Sequence, residues 1–405
     1  MLDIFSDDAR CNPFPVYDRL RATSPLLHEP ASGVYLLFDY ASVKRVLDDA
    51  QTFASDLGSI GAHPAPKWLV FTDPPRHLKL RNIISQAFTP RMVAGLESQI
   101  REISHELLNR AMSRGEMDIA AEYSVPLPMR VIARMIGIPD ADWTSYTRWS
   151  NAILQLSYTV RGMSPGGEQA RTAGEEYSRV AQELSEYLPH LVEQRRVQPE
   201  DDLLTRLVTA ECDGERLTPE ELLAFVQLLI VGGQETTTNL INNALLCLFE
   251  HRDQFKLLQR HPELLPSAIE EVLRYRSPFQ VVFRGTRHEV ELHGQQIPAG
   301  KLLFLMLGSA NRDPQQFSHP QQFDITREPN PHLAFGHGPH FCLGAALSRL
   351  ETRIALTDLL ERLPNLRVAT SEPWQPRPAL HVHGPMRLPV RFDACSGSTA
   401  LAARN

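Results

Sequence analysis

A long helical pattern that begins after Thr218 constrains the fold of this chain more than any other feature. Thr218 is a suitable N-cap, Pro219 suits the first helical position, and Glu221 stands three residues after the cap, as in a capping box. The apolar spacing continues to Glu250, and at about 1.5 Å per residue such a helix is on the order of 45 Å long. It must therefore cross the whole molecule. Polar residues within 234–239 interrupt the apolar run and argue against a membrane span.

Apolar residues at spacings of three and four recur along most of the chain, whereas alternating patterns are short. Further helices are predicted over 40–49, 74–87, 93–114, 128–136, 173–194, 264–275 and 344–363. Strands are predicted over 33–38, 290–292, 302–307 and 386–392, with a turn at 297–300. The predicted fold class is mainly α, with one long central helix and small peripheral β-sheets.

The length and composition of the chain favour a single folded unit. The 405 residues contain no long Gly/Ser linker, low-complexity tract or internal repeat, so we predict one domain over 1–393 and a disordered tail over 394–405. Hydrophobic residues make up 42% of the chain, which is enough to enclose a large buried ligand. The formal net charge of -7 argues against nucleic acid as the main partner, because binding phosphates needs a basic surface.

The N-terminus and the cysteines indicate an intracellular protein. Residues 1–10 have neither the basic start and apolar core of a signal peptide nor a membrane anchor. The number of cysteines is odd and their positions are scattered, so we do not expect a disulfide framework; they are Cys11, Cys212, Cys247, Cys342 and Cys395. We therefore expect a cytoplasmic location.

A loop rich in glycine and histidine places Cys342 just before a helical pattern. Free backbone N–H groups at a helix start favour a thiolate, and glycines at 336, 338 and 344 would permit positive φ values. Taken alone, the loop leaves three other interpretations open: a small buried apolar residue, a zinc ligand, or a Cys–His protease dyad. The loop reads Phe335-Gly336-His337-Gly338-Pro339-His340-Phe341-Cys342-Leu343-Gly344.

This loop resembles the haem-binding loop of the cytochromes P-450, matching Phe-Gly-x-Gly-x-His-x-Cys-x-Gly at every defined position. The resemblance implies a cytochrome P-450 fold with haem b as the cofactor and Cys342 as the ligand of its iron. It also implies that Phe335, Gly336, His340 and Gly344 surround the haem. Other motifs of the family follow in order over nearly the whole chain, from about Asn12 to Phe392.

The stretch Gly232-Gly233-Gln234-Glu235-Thr236-Thr237 resembles the oxygen-activation segment of that family. The resemblance implies that Glu235 and Thr236 deliver the protons that oxygen activation needs. Each glycine inside a helix costs about 1 kcal/mol relative to alanine. The pair therefore indicates either a local widening of the helix that makes room for dioxygen or a close approach of a neighbouring helix.

Two further motifs of the family supply charged side chains. Glu271-Val272-Leu273-Arg274 resembles its Glu-x-x-Arg element, and the resemblance implies a structural clamp that Arg327 completes; a surface salt bridge is the alternative. Residues 73–81 resemble its Asp-Pro-Pro-x-His-x-x-x-Arg element, with Asp73 expected to cap a helix that Pro74 starts. The implied ligands of the haem propionates are His77, Arg81, Arg284 and His340, each of which could instead be a solvated surface residue.

The resemblance implies a substrate pocket lined by mostly apolar side chains, which could also be ordinary core residues. We expect a hydrophobic substrate, such as a macrolide, terpenoid, steroid or fatty acyl compound, that is hydroxylated or epoxidised with O2. The predicted lining residues are Trp68, Leu69, Leu228, Leu229, Gly232, Val281, Val282 and Phe283.

The implied activity is that of a haem-thiolate monooxygenase with separate electron donors. The family's soluble bacterial members usually draw electrons from a ferredoxin that an NAD(P)H-dependent ferredoxin reductase reduces. A local basic patch for such a partner is expected from Arg76, Lys79, His337, Arg349 and Arg353. A peroxygenase or decarboxylase that uses hydrogen peroxide, and a haem protein that binds a ligand without turnover, are the alternatives.

Overall fold

The structure is a computed structural model that describes residues 7–30, 32–58, 67–158, 168–370, 372, 374–377 and 379–394. Of the predicted disordered tail, residues 395–405 lie outside the described part of the chain. The helices are α1 (Asp7–Cys11), α2 (Phe14–Thr23), α3 (Tyr40–Asp48), α4 (Arg76–Ala87), α5 (Pro90–Gly95), α6 (Glu97–Asn109), α7 (Pro126–Ile136), α8 (Trp143–Ser157), α9 (Glu168–Val197), α10 (Leu203–Thr209), α11 (Pro219–Glu250), α12 (Arg252–Arg260), α13 (Leu265–Tyr275), α14 (Leu307–Ala310) and α15 (Ala345–Arg362). The mainly α fold class is confirmed.

Small sheets lie at the periphery, as predicted. The strands are β1 (Leu26–Glu29), β2 (Val34–Leu37), β3 (Phe53–Ala54), β4 (Glu116–Asp118), β5 (Val281–Thr286), β6 (Val290–Leu292), β7 (Gln295–Ile297), β8 (Leu302–Met306), β9 (Arg367–Val368) and β10 (Pro389–Arg391). They form a five-stranded sheet in the order β1-β2-β8-β5-β3, a three-stranded sheet β4-β10-β9 and the hairpin β6-β7. After β10 the backbone N–H of Asp393 donates to the carbonyl of Pro364, so the chain leaves this sheet beside the C-terminal end of α15.

The central helix α11 has the predicted bounds because its start is fixed locally. The Thr218 hydroxyl accepts a hydrogen bond from the Glu221 N–H at 3.2 Å, and the Glu221 carboxylate accepts one from the Thr218 N–H at 3.0 Å. From Gln234 to Phe249 nearly every residue is buried. Packing of α7, α8 and α15 around α11 builds the main hydrophobic core.

Three predicted elements differ from the structure. The predicted helix 93–114 is two helices, because α5 ends after Gly95 in a turn in which the Leu96 N–H bonds to the Val93 carbonyl. The predicted strand 386–392 narrows to β10, since the Leu388 N–H bonds to the Asp118 side chain rather than to a neighbouring strand. Helix α9 starts earlier and ends later than the predicted 173–194.

Helix α8 was not predicted, because its aromatic, serine and threonine residues are weak helix formers. Its buried face, with Tyr146, Trp149 and Ile153, is held by packing on α9 and α11 instead. Within the described part of the chain, no helix carries an apolar stretch long enough to span a bilayer.

Candidate functional site

The loop before α15 has the conformation expected for its glycines at two of three positions. Gly336 and Gly338 have φ values of 72° and 69°. A side chain at Gly338 would also place its Cβ 2.8 Å from Asp48 Oδ1, on α3. Gly344 does not have the predicted positive φ, because it is the N-cap of α15 with φ at -82°. The N–H of Cys342 donates to the Phe335 carbonyl at 2.9 Å, which closes the loop.

Cys342 has accessible surface, although protein atoms surround its thiol. Burial raises the pKa of its thiol, while a hydrogen bond from the Gly344 N–H and the charges of Arg81 and Arg349 act in the opposite direction. The N–H group expected to bond to the sulfur is thus present, although burial outweighs its effect on the pKa.

Two histidine rings face each other beside this loop. The ring centroids of His77, on α4, and His340 lie 3.9 Å apart. His77 is fully buried, and neither of its ring nitrogens has a hydrogen-bond partner among the described residues. Burial lowers its pKa to about 4, with a smaller contribution from the charge of Arg81. Burial likewise lowers the pKa of His340 to about 2, and its Nε2 lies 3.0 Å from Ser55 Oγ.

Two arginines join the histidines. Arg81 donates to the Phe341 carbonyl at 2.6 Å, and Arg284, on β5, donates to its neighbour's carbonyl at 2.7 Å. Burial lowers the pKa of Arg284 to about 10. Among the described residues, neither guanidinium forms an ion pair with a carboxylate. The four predicted propionate ligands therefore form one cluster of donors, two buried and two partly buried, that suits an anionic group.

The predicted cap of α4 is wrong. Pro75 is the N-cap, without a side-chain hydrogen bond. The Asp73 carboxylate instead accepts hydrogen bonds from the N–H groups of Ser55 and Asp56 and pairs with Arg287 at 2.5 Å. Because these partners occupy the oxygens of the Asp73 carboxylate, this side chain does not cap the helix.

The two glycines of α11 have different surroundings, and the helix stays α-helical through both. A Cβ on Gly233 would lie 2.6 Å from Ile132 Cδ1 on α7, so this glycine permits close helix packing. Gly232 has open space beside it, and its carbonyl accepts a 2.6 Å hydrogen bond from the Thr236 hydroxyl. The predicted local widening does not appear as a change of helix type. The exposed Gly232 and the partly exposed Thr236 nevertheless lie on the same open side of the helix.

Glu235 lies on a buried side of α11 and does not contact the Thr236 hydroxyl. Its carboxylate accepts a short hydrogen bond from Tyr158, which follows α8 directly. Burial raises the pKa of Glu235 to about 7, although the Tyr158 hydrogen bond and the charge of Arg377 lower it. Tyr158 and Arg377 were not predicted, since neither belongs to a local motif.

The predicted clamp has the expected geometry. Arg274 donates to both oxygens of Glu271 at 2.8 Å, and Arg327 Nε lies 3.1 and 3.2 Å from the same oxygens. The side chains of Glu271 and Arg274 are fully buried. Arg274 also donates to the carbonyls of Asn311 and Gln322, which ties α13 to the segment that leads to the Cys342 loop.

The predicted pocket residues fall into two groups. Leu228 and Leu229 are half-buried on the side of α11 that also bears Gly232, and Val282 and Phe283 are half-buried on β5. The others are buried: Trp68 donates to Gln227 of α11 at 3.2 Å, Leu69 packs in the main core, and Val281 packs among core residues such as Phe304.

The residues of the expected basic patch all lie beside carboxylates. Arg76 and Lys79 pair with Glu215, His337 lies 3.3 Å from Asp48, Arg349 pairs with Glu270, and Arg353 pairs with Glu97. They do not form an uncompensated positive surface.

The family model for cytochrome P450 matches residues 30–383. The chain belongs to the cytochrome P450 family. The putative cytochrome P450 YjiB of Bacillus subtilis is 39% identical over 366 residues, which cover 89% of this chain and 90% of that protein. The vitamin D(3) 25-hydroxylase of Pseudonocardia autotrophica is 37% identical over 401 residues, covering 96% of each. The crystal structure of CYP109E1 from Bacillus megaterium in complex with testosterone has a TM-score of 0.86 and 37% identity, and covers 94% of this chain and 99% of that one. This P450 is therefore a haem-dependent monooxygenase.

Proposed function

We propose that this P450 uses Cys342 as the thiolate ligand of haem iron and inserts one oxygen atom into an apolar polycyclic substrate of the steroid class. The observation that carries the proposal is the position of the exposed Cys342 at the end of a closed loop, beside a cluster of four donors of which His77 and Arg284 are buried. A coordinated metal ion deprotonates a thiol outright, which outweighs the effect of burial on its pKa. Bound haem supplies the redox-active iron at which dioxygen is activated.

The donor cluster suits the two carboxylates of haem. Arg81 and Arg284 supply charge, and His77 and His340 supply ring N–H groups. The unpartnered ring nitrogens of His77 support this role, because buried polar atoms are rarely left without a hydrogen bond. The propionates would satisfy them.

The open side of α11 carries a hydroxyl group that can donate a proton. The Thr236 hydroxyl stands on that side with Gly232, and Glu235 adjoins it in the sequence with a pKa of about 7. A carboxyl group with this pKa is divided between its protonated and ionised forms at neutral pH, as suits a general acid that is reloaded from solvent. We propose that Glu235 takes up protons from solvent and passes them on, and that the Thr236 hydroxyl forms the hydrogen bond at the reaction site.

The substrate class rests on the apolar lining and on the relatives. Leu228, Leu229 and Phe283 offer hydrocarbon surface, which favours a substrate bound by burial rather than by ion pairs. One relative is named for hydroxylation of vitamin D(3), and one solved structure contains testosterone. Both names point to ligands of the steroid and secosteroid classes.

A spectral titration of the ferric holoenzyme tests this assignment. Steroids and secosteroids should shift the Soret band from low spin to high spin at micromolar concentrations, whereas a macrolide, a monoterpenoid and a free fatty acid should not. Turnover under 18O2 should place one labelled atom in the product. A high-spin shift with only one of the other classes would overturn the steroid assignment.

Electrons are proposed to come from a ferredoxin and an NAD(P)H-dependent ferredoxin reductase. Reconstitution with such a pair should support turnover, and hydrogen peroxide alone should not. Efficient turnover with peroxide alone would favour the peroxygenase alternative.

A further inference from the structure

Three parts of the fold meet at Glu235. The end of α8 contributes Tyr158, and the segment of residues 376–377 and 379–384 contributes Arg377, with His381 beside the Tyr158 ring. This segment is anchored by a bridge between Phe279 and Val382. It approaches α11 so closely that a Cβ on Gly384 would lie 2.5 Å from Asn239 Oδ1, one turn after Glu235.

Packing fixes the Tyr158 side chain. Tyr158 is 7% exposed and forms a small apolar cluster with Ala379 and Val382, against which Leu154 and Phe279 pack. Its ring centroid lies 6.2 Å from that of His381. With the ring held on several sides, the hydroxyl has one direction available, and it points to the Glu235 carboxylate.

The groups around Glu235 and its partner Tyr158 have different electrostatic effects. Tyr158 donates a hydrogen bond, which favours the ionised carboxylate, and the nearby Arg377 guanidinium favours it as well. Burial lowers the pKa of His381 to about 4, so this ring is neutral at neutral pH and adds no charge. Asn239 is fully buried, and within the described part of the chain neither polar atom of its side chain has a hydrogen-bond partner.

We propose that Tyr158 is a positioning residue for Glu235: together with Arg377, it holds the carboxyl group in one orientation and keeps it able to accept and donate a proton at neutral pH. The inference rests on the proposed role of Glu235 in proton delivery. Without Tyr158 and Arg377, burial alone would keep this carboxyl group protonated at neutral pH. A carboxyl group that stays protonated cannot take up a further proton from solvent.

Substitution of Tyr158 by phenylalanine keeps the ring in its apolar cluster and removes the hydroxyl. The pKa of Glu235 should then rise by about one unit, because a hydrogen bond to the ionised form is lost. Arg377→Gln should shift it in the same direction without altering the ring. The matched control is Tyr187→Phe, which removes a 2.8 Å hydrogen bond from a tyrosine to the Asp142 carboxylate between α9 and the start of α8.

Infrared difference titration of the ferric holoenzyme reads the carboxyl group directly. The Glu235 band is the protonated-carboxyl band that Glu235→Gln removes, which separates it from the buried Glu351. In Tyr158→Phe this band should persist to a pH about one unit higher, while Tyr187→Phe should match the wild type. An unshifted band in both Tyr158→Phe and Arg377→Gln would overturn the positioning role.

Coupling measurements separate this inference from the proposed function. Product formed per NAD(P)H should fall in Tyr158→Phe, and the pH at which coupling is half-maximal should move with the infrared titration. If the band shifts but Glu235→Gln retains wild-type coupling at every pH, the proposed role of Glu235 in proton delivery is overturned instead.

Discussion

The Thr236 hydroxyl donates a 2.6 Å hydrogen bond to the carbonyl oxygen of Gly232, one turn earlier in α11. Gly232 has no side chain to cover this bond and none of the described residues packs against the position, so the hydroxyl stays accessible from the open side of the helix. Glu235 is turned to the buried side and is held by Tyr158. The adjacent residues Glu235 and Thr236 therefore lie in different environments, one on a buried side of the helix and one on its open side.

Thr236→Ala should bind haem normally and waste reducing equivalents. Without the hydroxyl, product formed per NAD(P)H should fall roughly tenfold or more, with hydrogen peroxide released instead. Thr147→Ala is the control, because it removes a similar hydrogen bond to a carbonyl one turn earlier, in α8. Tight coupling in Thr236→Ala would contradict the assigned role.

Cys342→Ser should lose the strongly red-shifted Soret band that a thiolate-ligated ferrous-CO haem shows in this family. The serine oxygen does not replace the thiolate as an electron-donating ligand. Cys212→Ser, in a hairpin where the backbones of Cys212 and Glu215 pair, should retain the band. A wild-type spectrum in Cys342→Ser would exclude Cys342 as the ligand.

Local motifs were enough to predict the start of α11, the Cys342 loop and the Glu271–Arg274 pair, because the residues involved lie within a few positions of one another. The contact of Tyr158 with Glu235 joins residues 77 positions apart, and nothing near either residue indicates it. At Asp73 the local sequence predicted a helix cap that does not form, because the carboxylate pairs with Arg287, a residue distant in the sequence. Likewise, the glycine pair of α11 could be interpreted only once Ile132 was seen beside Gly233.

Glu271→Gln should destabilise the protein by about 3–5 kcal/mol, because it leaves Arg274 buried without its counter-charge. The matched control is Glu193→Gln, which breaks an exposed pair with Arg196 at the same spacing and should cost less than about 0.5 kcal/mol. Urea unfolding followed by circular dichroism measures both. Equal losses in the two variants would show that the clamp contributes no more than a surface pair.

Acid should destabilise the fold through two buried histidines near the C-terminus. Burial lowers the pKa of His381 to about 4 and that of His383 to about 3, so the folded state keeps both rings neutral while the unfolded chain takes up protons below about pH 6.5. Stability is therefore fully present above about pH 6.5 and falls as the pH decreases towards 4.

His383→Gln should flatten this pH dependence by about 1.4 kcal/mol per pH unit, since one fewer proton is taken up on unfolding. The exposed His261→Gln is the control and should leave the slope unchanged. The measurement is the free energy of unfolding by urea at several pH values from 4 to 7. A slope in His383→Gln equal to that of the wild type would contradict the prediction.

The exit of the chain beside Pro364 matters for anyone who tethers an electron donor to this P450. Helix α15 has 18 residues and runs from the Cys342 loop to this exit, a distance of about 27 Å at 1.5 Å per residue. A reductase domain fused behind Asp393 would therefore start at the far end of the helix from the sulfur. At about 3.3 Å per extended residue, at least roughly eight linker residues are needed merely to run back along α15.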